Sequence, residues 1–192
     1  MTTPTPSQTI GPFFAYCLTS PDYGYKLVAD NVIKSISGQR IQITGQVLDG
    51  ERCPIPDAML EIWQADPEGQ FYGVGKPKDP SFTGFARTGT DIDGNFLFKT
   101  VKPGVFKNSA GALQAPHINL TLFARGLLRH LTTRIYFSDE EATYKDPLIA
   151  HLVPKPRRNT LVATLEENKE DRICYTFNIK LQGENETVFL HW

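Results

Sequence analysis

The sequence predicts an all-β protein built as a β-sandwich. Three observations predict it: short segments of alternating apolar residues recur along the chain, turn dipeptides separate them, and helical periodicity is almost absent. The first strand begins at Gln39, where Ile41, Ile43, Gly45 and Val47 alternate with polar residues. Successive side chains of a strand point to opposite faces, so this pattern buries one face. Asp49-Gly50 follows as a turn. Residues 58–63 give a second strand, and turns fall at Pro67-Glu68-Gly69 and at residues 91–94. Residues 95–101 form a strand with Phe96 and Phe98 on one face. Residues 117–124, 132–137, 160–165 and 173–181 continue the series, and 187–192 close it as a short apolar strand. At most one or two short helices are expected. Ser138 and Glu141 fit a capping box, the hydroxyl taking an early N–H and the carboxylate reaching back, and Pro147 limits the stretch that follows.

Two regions differ in character. Residues 1–38 hold Pro4, Pro6, Pro12 and Pro21 and five aromatics (Phe13, Phe14, Tyr16, Tyr23, Tyr25) without strand alternation. A solvated tail would not carry those rings. This segment is expected to be an extended arm packed either on its own domain or on a partner chain. Residues 39–192 form the β-sandwich domain. Within it, residues 69–87 are rich in Gly, Pro and aromatics and are expected to be a long loop, a length usually kept for function or an interface.

Composition excludes several classes. Apolar residues make up 40% and charged residues 21%, ordinary values for a chain that buries a core. Net charge is -1 with the signs interspersed, so no basic run favours nucleic acid. No apolar stretch approaches the roughly 20 residues that cross a bilayer, and residues 1–8 lack the features of a signal peptide. A cytoplasmic location without membrane contact is expected. Cys17, Cys53 and Cys174 are odd in number and lack C-x-x-C spacing, so they are expected to be reduced and used as small apolar fillers.

No phosphate loop, nucleophile elbow or H-E-x-x-H site is present, and His117, His130, His151 and His191 are scattered. Glu140-Glu141 at a helix start is explained by capping. Spacing alone stops at a soluble β-sandwich.

A longer set of motifs goes further. The stretch E-I-W-Q-A-D-P-E-G-Q-F from Glu61 to Phe71, with G-Q-V-L-D before it and Pro56-Asp57-Ala58 between them, resembles the intradiol ring-cleaving dioxygenases. The resemblance continues through K-T-V-K-P-G at 99–104, A-P-H-I-N at 115–119, T-R-I-Y-F at 133–137 and Q-G-E-N-E-T-V-F at 182–189. It covers nearly the whole chain and implies a β-sandwich of that family's type.

In catalytic members the resemblance implies a ferric iron held by two tyrosines and an H-x-H pair. Here the matching positions are Phe71, Phe106, His117 and Asn119, so only His117 keeps its ligand. Phenylalanine has no donor atom, and Asn119 offers a neutral amide where ferric iron favours anionic oxygen. No metal is expected in this chain, and His117 is expected to be a packed, hydrogen-bonded core histidine. The intact frame and the opening T-P-S-Q-T-I-G-P-F-F at 5–14 resemble the iron-free alpha chains of two-subunit members of the family. That implies a hetero-oligomer of alpha-beta pairs. Its beta chain would hold the ferric iron and cleave a carboxylated catechol with O₂; the isolated alpha chain would be inactive. Carried over singly, Thr9, Gly11 and Pro12 match arm positions that line the partner's pocket; the alternative is that Gly11-Pro12 is only a bend. Arg134 matches an arginine near the pocket mouth that pairs with or steers the substrate carboxylate; the alternative is a surface ion pair with Asp139 or Glu140. Two other functions stay open from the residues alone: an iron-free module that binds small aromatic acids, and a self-sufficient dioxygenase with substituted ligands.

Overall fold

The structure, a computed structural model, describes residues 18–19, 29–32, 36–73, 81–108, 110–166 and 172–190. The strands are β1 (Arg40–Leu48), β2 (Met59–Gln64), β3 (Phe85–Gly89), β4 (Asn95–Val101), β5 (Phe106–Lys107), β6 (Leu113–Gln114), β7 (Ile118–Phe123), β8 (Leu131–Phe137), β9 (Val162–Leu165), β10 (Ile173–Thr176) and β11 (Ile179–Lys180). Nine of them form one sheet in the order β11-β1-β10-β9-β8-β7-β2-β3, with β4 paired to β1. The sheet folds over at the parallel β8–β9 pair, and β3 and β4 lie in contact across the open seam. The result is a β-sandwich whose edges nearly meet. β5 and β6 form a separate hairpin.

The alternation read from the sequence builds the core. Ile41, Ile43 and Val47 of β1 face Leu60 and Ile62 of β2, Phe96 and Phe98 of β4, Ile118, Leu120 and Leu122 of β7, and Ile135 and Phe137 of β8 in one buried cluster. Fully burying such a side chain contributes about 1.5–3 kcal/mol, so this cluster is the main source of stability. The period of two then throws His117, Asn119, Arg134 and Tyr136 onto the outer face of β7 and β8. A second cluster covers that face around Tyr136, using Leu148, Ile149, Val153 and Leu161.

The described parts of residues 1–38 pack on their own domain. Leu18 packs against Met59, as Phe123 does, and residue 30 bridges Lys99 in parallel, with N–H···O bonds from Asn31 to Lys99 and from Lys99 to Ala29.

Several expectations change. The segment 69–87 is not loop throughout, because β3 takes Phe85 onward and pairs with β2. A cross-strand pair holds it: Arg87 Nε donates to Glu61 Oε1 at 2.8 Å in register. The capping box does not form. Ser138 Oγ accepts from Leu165 N–H at 2.9 Å, and Lys102 draws the carboxylates of Asp139 and Glu140 to 2.7 Å each. Beyond this stretch, helical turns follow as 3₁₀ turns at Thr143–Lys145 and Lys155–Leu161 and a π turn at Leu148–Leu152. The 3₁₀ turn at Lys155–Leu161 takes residues 160–161 out of the expected strand. The strand expected at 173–181 splits at residues 177–178, where Asn178 Oδ1 replaces a ladder acceptor for Gln46 N–H at 3.0 Å. Of the strand expected at 187–192, the described residues 187–190 show a single bridge, from Leu190 to Thr132, and residues 191–192 lie outside the described residues. Cys174 is buried as expected, whereas Cys53 is exposed: it sits in the Asp49 turn, where its backbone N–H donates to Asp49 Oδ1.

Candidate functional site

Two interlocked turns set the site. In the first, Asp66 Oδ1 accepts the N–H groups of Glu68 and Gln70 at 3.0 and 2.8 Å. In the second, Gly104 N–H reaches back to Asp66 O at 2.9 Å. The turns touch backbone to backbone. A Cβ at Gly69, where φ is +80, would lie 2.1 Å from Val105 O, and one at Gly104 would lie 2.3 Å from Pro67 O. Only glycine allows that approach. Buried Gln64 ties the strand ends beneath: its Nε2 donates to Val101 O and its Oε1 accepts from Thr100 Oγ1, each at 2.8 Å.

This scaffold brings the sequence-predicted positions together. Phe71 and Phe106 meet edge to face with ring centroids 5.0 Å apart. Phe106 lies 5.3 Å from the His117 ring, and His117 lies 5.4 Å from Tyr136. Trp63 stacks outside Phe71 at 6.4 Å. Asn119 sits on the same strand face as His117 and pairs in register with Arg134 of β8. Tyr72 is half exposed beside this group, and Thr9, Gly11 and Pro12 lie outside the described residues.

The polar members form a chain. His117 is 2% exposed, and its Nδ1 is 2.8 Å from Ala115 O. A carbonyl only accepts, so Nδ1 carries the proton and Nε2 presents a lone pair. Among the described residues that Nε2 has no hydrogen-bond partner. Burial, helped by the nearby Arg134 charge, lowers the His117 pKa to about 4, so the ring is neutral. Arg134 Nε donates to Asn119 Oδ1 at 3.2 Å, and Nη1 donates to Gln114 Oε1 and Tyr136 Oη at 3.3 Å each. Tyr136 Oη donates to Asp146 Oδ1 at 3.0 Å. Asp146 is fully buried and also accepts the N–H groups of Ala115 and Leu148. Burial and the Asp146 charge hold the Tyr136 phenol well above its ordinary range.

Arg134 is buried, at 8% exposed. Asp139 and Glu140, the carboxylates considered for it, hold Lys102. The sequence did not single out Gln114, Tyr136 or Asp146. Tyr136 was reachable, since it shares a strand face with Arg134; nothing local marks the other two.

The donor set does not fit iron. Phe71 and Phe106 offer carbon only, the Asn119 amide oxygen is engaged by Arg134, and one imidazole nitrogen remains. No group of three or more His, Cys, Asp or Glu side chains converges anywhere among the described residues. An open groove of about 820 Å³ lies elsewhere, on the outer face of β1 and β4, lined by Gln42, Thr44, Gln46, Asn95 and Leu97 among others; it shares no residue with this site.

A nearly closed β-sandwich with this aromatic and imidazole cluster on its outer face agrees with the intradiol dioxygenase family that the sequence resembles. The Dioxygenase family matches residues 11–183, and the chain belongs to it, on the intradiol branch. The chain is 43% identical over 192 residues to the protocatechuate 3,4-dioxygenase alpha chain of Burkholderia cepacia, covering 96% of this chain and 95% of that one. It is 33% identical over 159 residues to the beta chain from the same organism, covering 78% of this chain and 67% of that one. Among solved structures, the dioxygenase domain of a dioxygenase and carbohydrate-binding fusion from Streptomyces sp. SirexAA-E superposes with a TM-score of 0.62 at 25% identity, covering 93% of this chain and 98% of that one.

Proposed function

We propose that this chain is the alpha subunit of a protocatechuate 3,4-dioxygenase, paired with a beta chain that holds the ferric iron. The supporting observation is a combination: alpha-chain similarity over the whole length, together with donors lost at Phe71, Phe106 and Asn119 in an intact frame. The assembled enzyme cleaves protocatechuate between its two hydroxylated carbons to give 3-carboxy-cis,cis-muconate. Both atoms of O₂ enter the two new carboxyl groups, so the reaction needs no external reductant. Ferric iron on the beta chain supplies the activation of the catechol toward O₂. This chain supplies shape and charge: Thr9, Gly11 and Pro12 wall the partner's pocket, and Arg134 attracts the substrate carboxylate. The complex works in the cytoplasm, in the breakdown of aromatic compounds.

Expression of this chain alone, and with a beta chain, tests the proposal. The isolated chain should be free of iron and inactive, and the pair should cleave protocatechuate with one iron per pair. Stoichiometric iron and full ring cleavage by the isolated chain would overturn it.

A further inference from the structure

Missing donors are one reason that this site does not suit a metal. His117 still presents a buried, unpartnered nitrogen, and neutral imidazole binds zinc, copper and iron alike. A cation stands beside it. Arg134 lies across from Asn119 in the β7–β8 register, and its Nε is 3.2 Å from the Asn119 amide oxygen, the side chain at one of the ligand positions. Its other hydrogen bonds, to Gln114 and Tyr136, fix the guanidinium there, and Tyr136 leads on to the Asp146 carboxylate. Positive and negative charge are thus both present with no metal in the network. The guanidinium cannot relieve repulsion by losing its proton, as a lysine could.

We propose that Arg134 closes this site to metal ions: its guanidinium holds the cationic place beside the ligand positions, so that restoring the lost donors alone does not restore metal binding. Like charges at side-chain distance inside a protein repel strongly, because little water screens them. Asn119 is also committed as an acceptor for Arg134, and a histidine placed there meets the same guanidinium donor, which competes with a metal for the ring's lone pair. The inference rests on the ligand positions that the family resemblance assigns. It needs no ring cleavage and no partner chain, so it stands or falls separately from the proposed pairing.

The test compares two full chains, one carrying F71Y, F106Y and N119H, the other carrying these and Arg134→Gln. Glutamine is neutral and keeps a donor for the neighbouring oxygens. Each is incubated with iron and desalted, then bound iron and the phenolate-to-iron absorbance are measured. The chain that keeps Arg134 should retain little iron, and the Arg134→Gln chain about tenfold more, approaching one iron per chain. Equal retention by the two, whether full or empty, overturns the proposal. If either loses the far-UV spectrum of the parent, N119H alone is compared with N119H plus Arg134→Gln by copper(II) titration. Roughly tenfold tighter copper binding without the guanidinium is then the expected result, and equal affinity is the contrary one.

Discussion

Of the four ligand positions, His117 is the one that still presents a nitrogen a metal could use, and its surroundings hold it neutral. Burial and the Arg134 charge set its pKa at about 4, below the ordinary 6.5. The folded ring therefore resists a proton that the unfolded chain accepts. Stability from this group is full above pH 6.5, falls as pH drops from 6.5 to about 4, and does not change below that. The loss across the window is on the order of 3 kcal/mol. Urea unfolding at a series of pH values should show it, and His117→Leu should flatten that part of the curve. A parent and variant with the same slope between pH 6.5 and 4 would mean that the ring is not held neutral.

Two turns decide where Phe71 and Phe106 lie. Gly69 and Gly104 let the 66–70 and 102–106 turns touch, and that contact places Phe71 against Phe106. Gly69→Ala and Gly104→Ala should each cost about 2–4 kcal/mol in chemical denaturation, since each Cβ would push against a backbone oxygen that cannot swing away. Gly111→Ala is the control. It shares a positive φ of +79 but meets nothing within 4 Å, so it should cost about 1 kcal/mol from backbone strain alone. Equal losses at all three positions would remove the interlock as the cause. Lys102 braces the second turn from the far side. Its ammonium bonds Asp139 and Glu140 and lies over the rings of Phe137 and Tyr175. Burial works against that charge, but the two carboxylates more than offset it and hold Lys102 above its usual range. The same clamp is why Ser138 to Glu141 never forms the helix start that its residues suggest.

At the scale of the whole molecule, the proposed alpha-beta pair assigns each chain a part: the partner the reaction, this chain the walls and a positive charge. Arg134→Ala in the assembled enzyme should act mainly through a raised KM, with a larger effect at low salt, because the lost interaction is electrostatic attraction of an anion. Steady-state kinetics at two ionic strengths checks it. An unchanged KM would confine Arg134 to its own chain's network with Asn119, Gln114 and Tyr136.

The sequence by itself determined the strand faces, because alternation along one strand is a local property. Ile118 and Leu120 inward force His117 and Asn119 outward, whatever lies across from them. It also held the four positions of the lost ligand set, though only likeness to a family tied Phe71 and Phe106 to His117 over such distances along the chain. Tertiary structure alone decided the rest. β3 hides in a weak pattern until Glu61 gives Arg87 a partner across the strand. Asp146 looks like one more acid before a proline until folding buries it under Tyr136 and Ala115. Arg134 reads equally as a pocket-mouth arginine or a surface ion pair, and only when β7 is laid beside β8 does its guanidinium meet Asn119. Each of those interactions joins residues that only the register of separate strands or the packing of separate turns brings into reach, and a burial that follows from packing leaves no periodic mark in the chain.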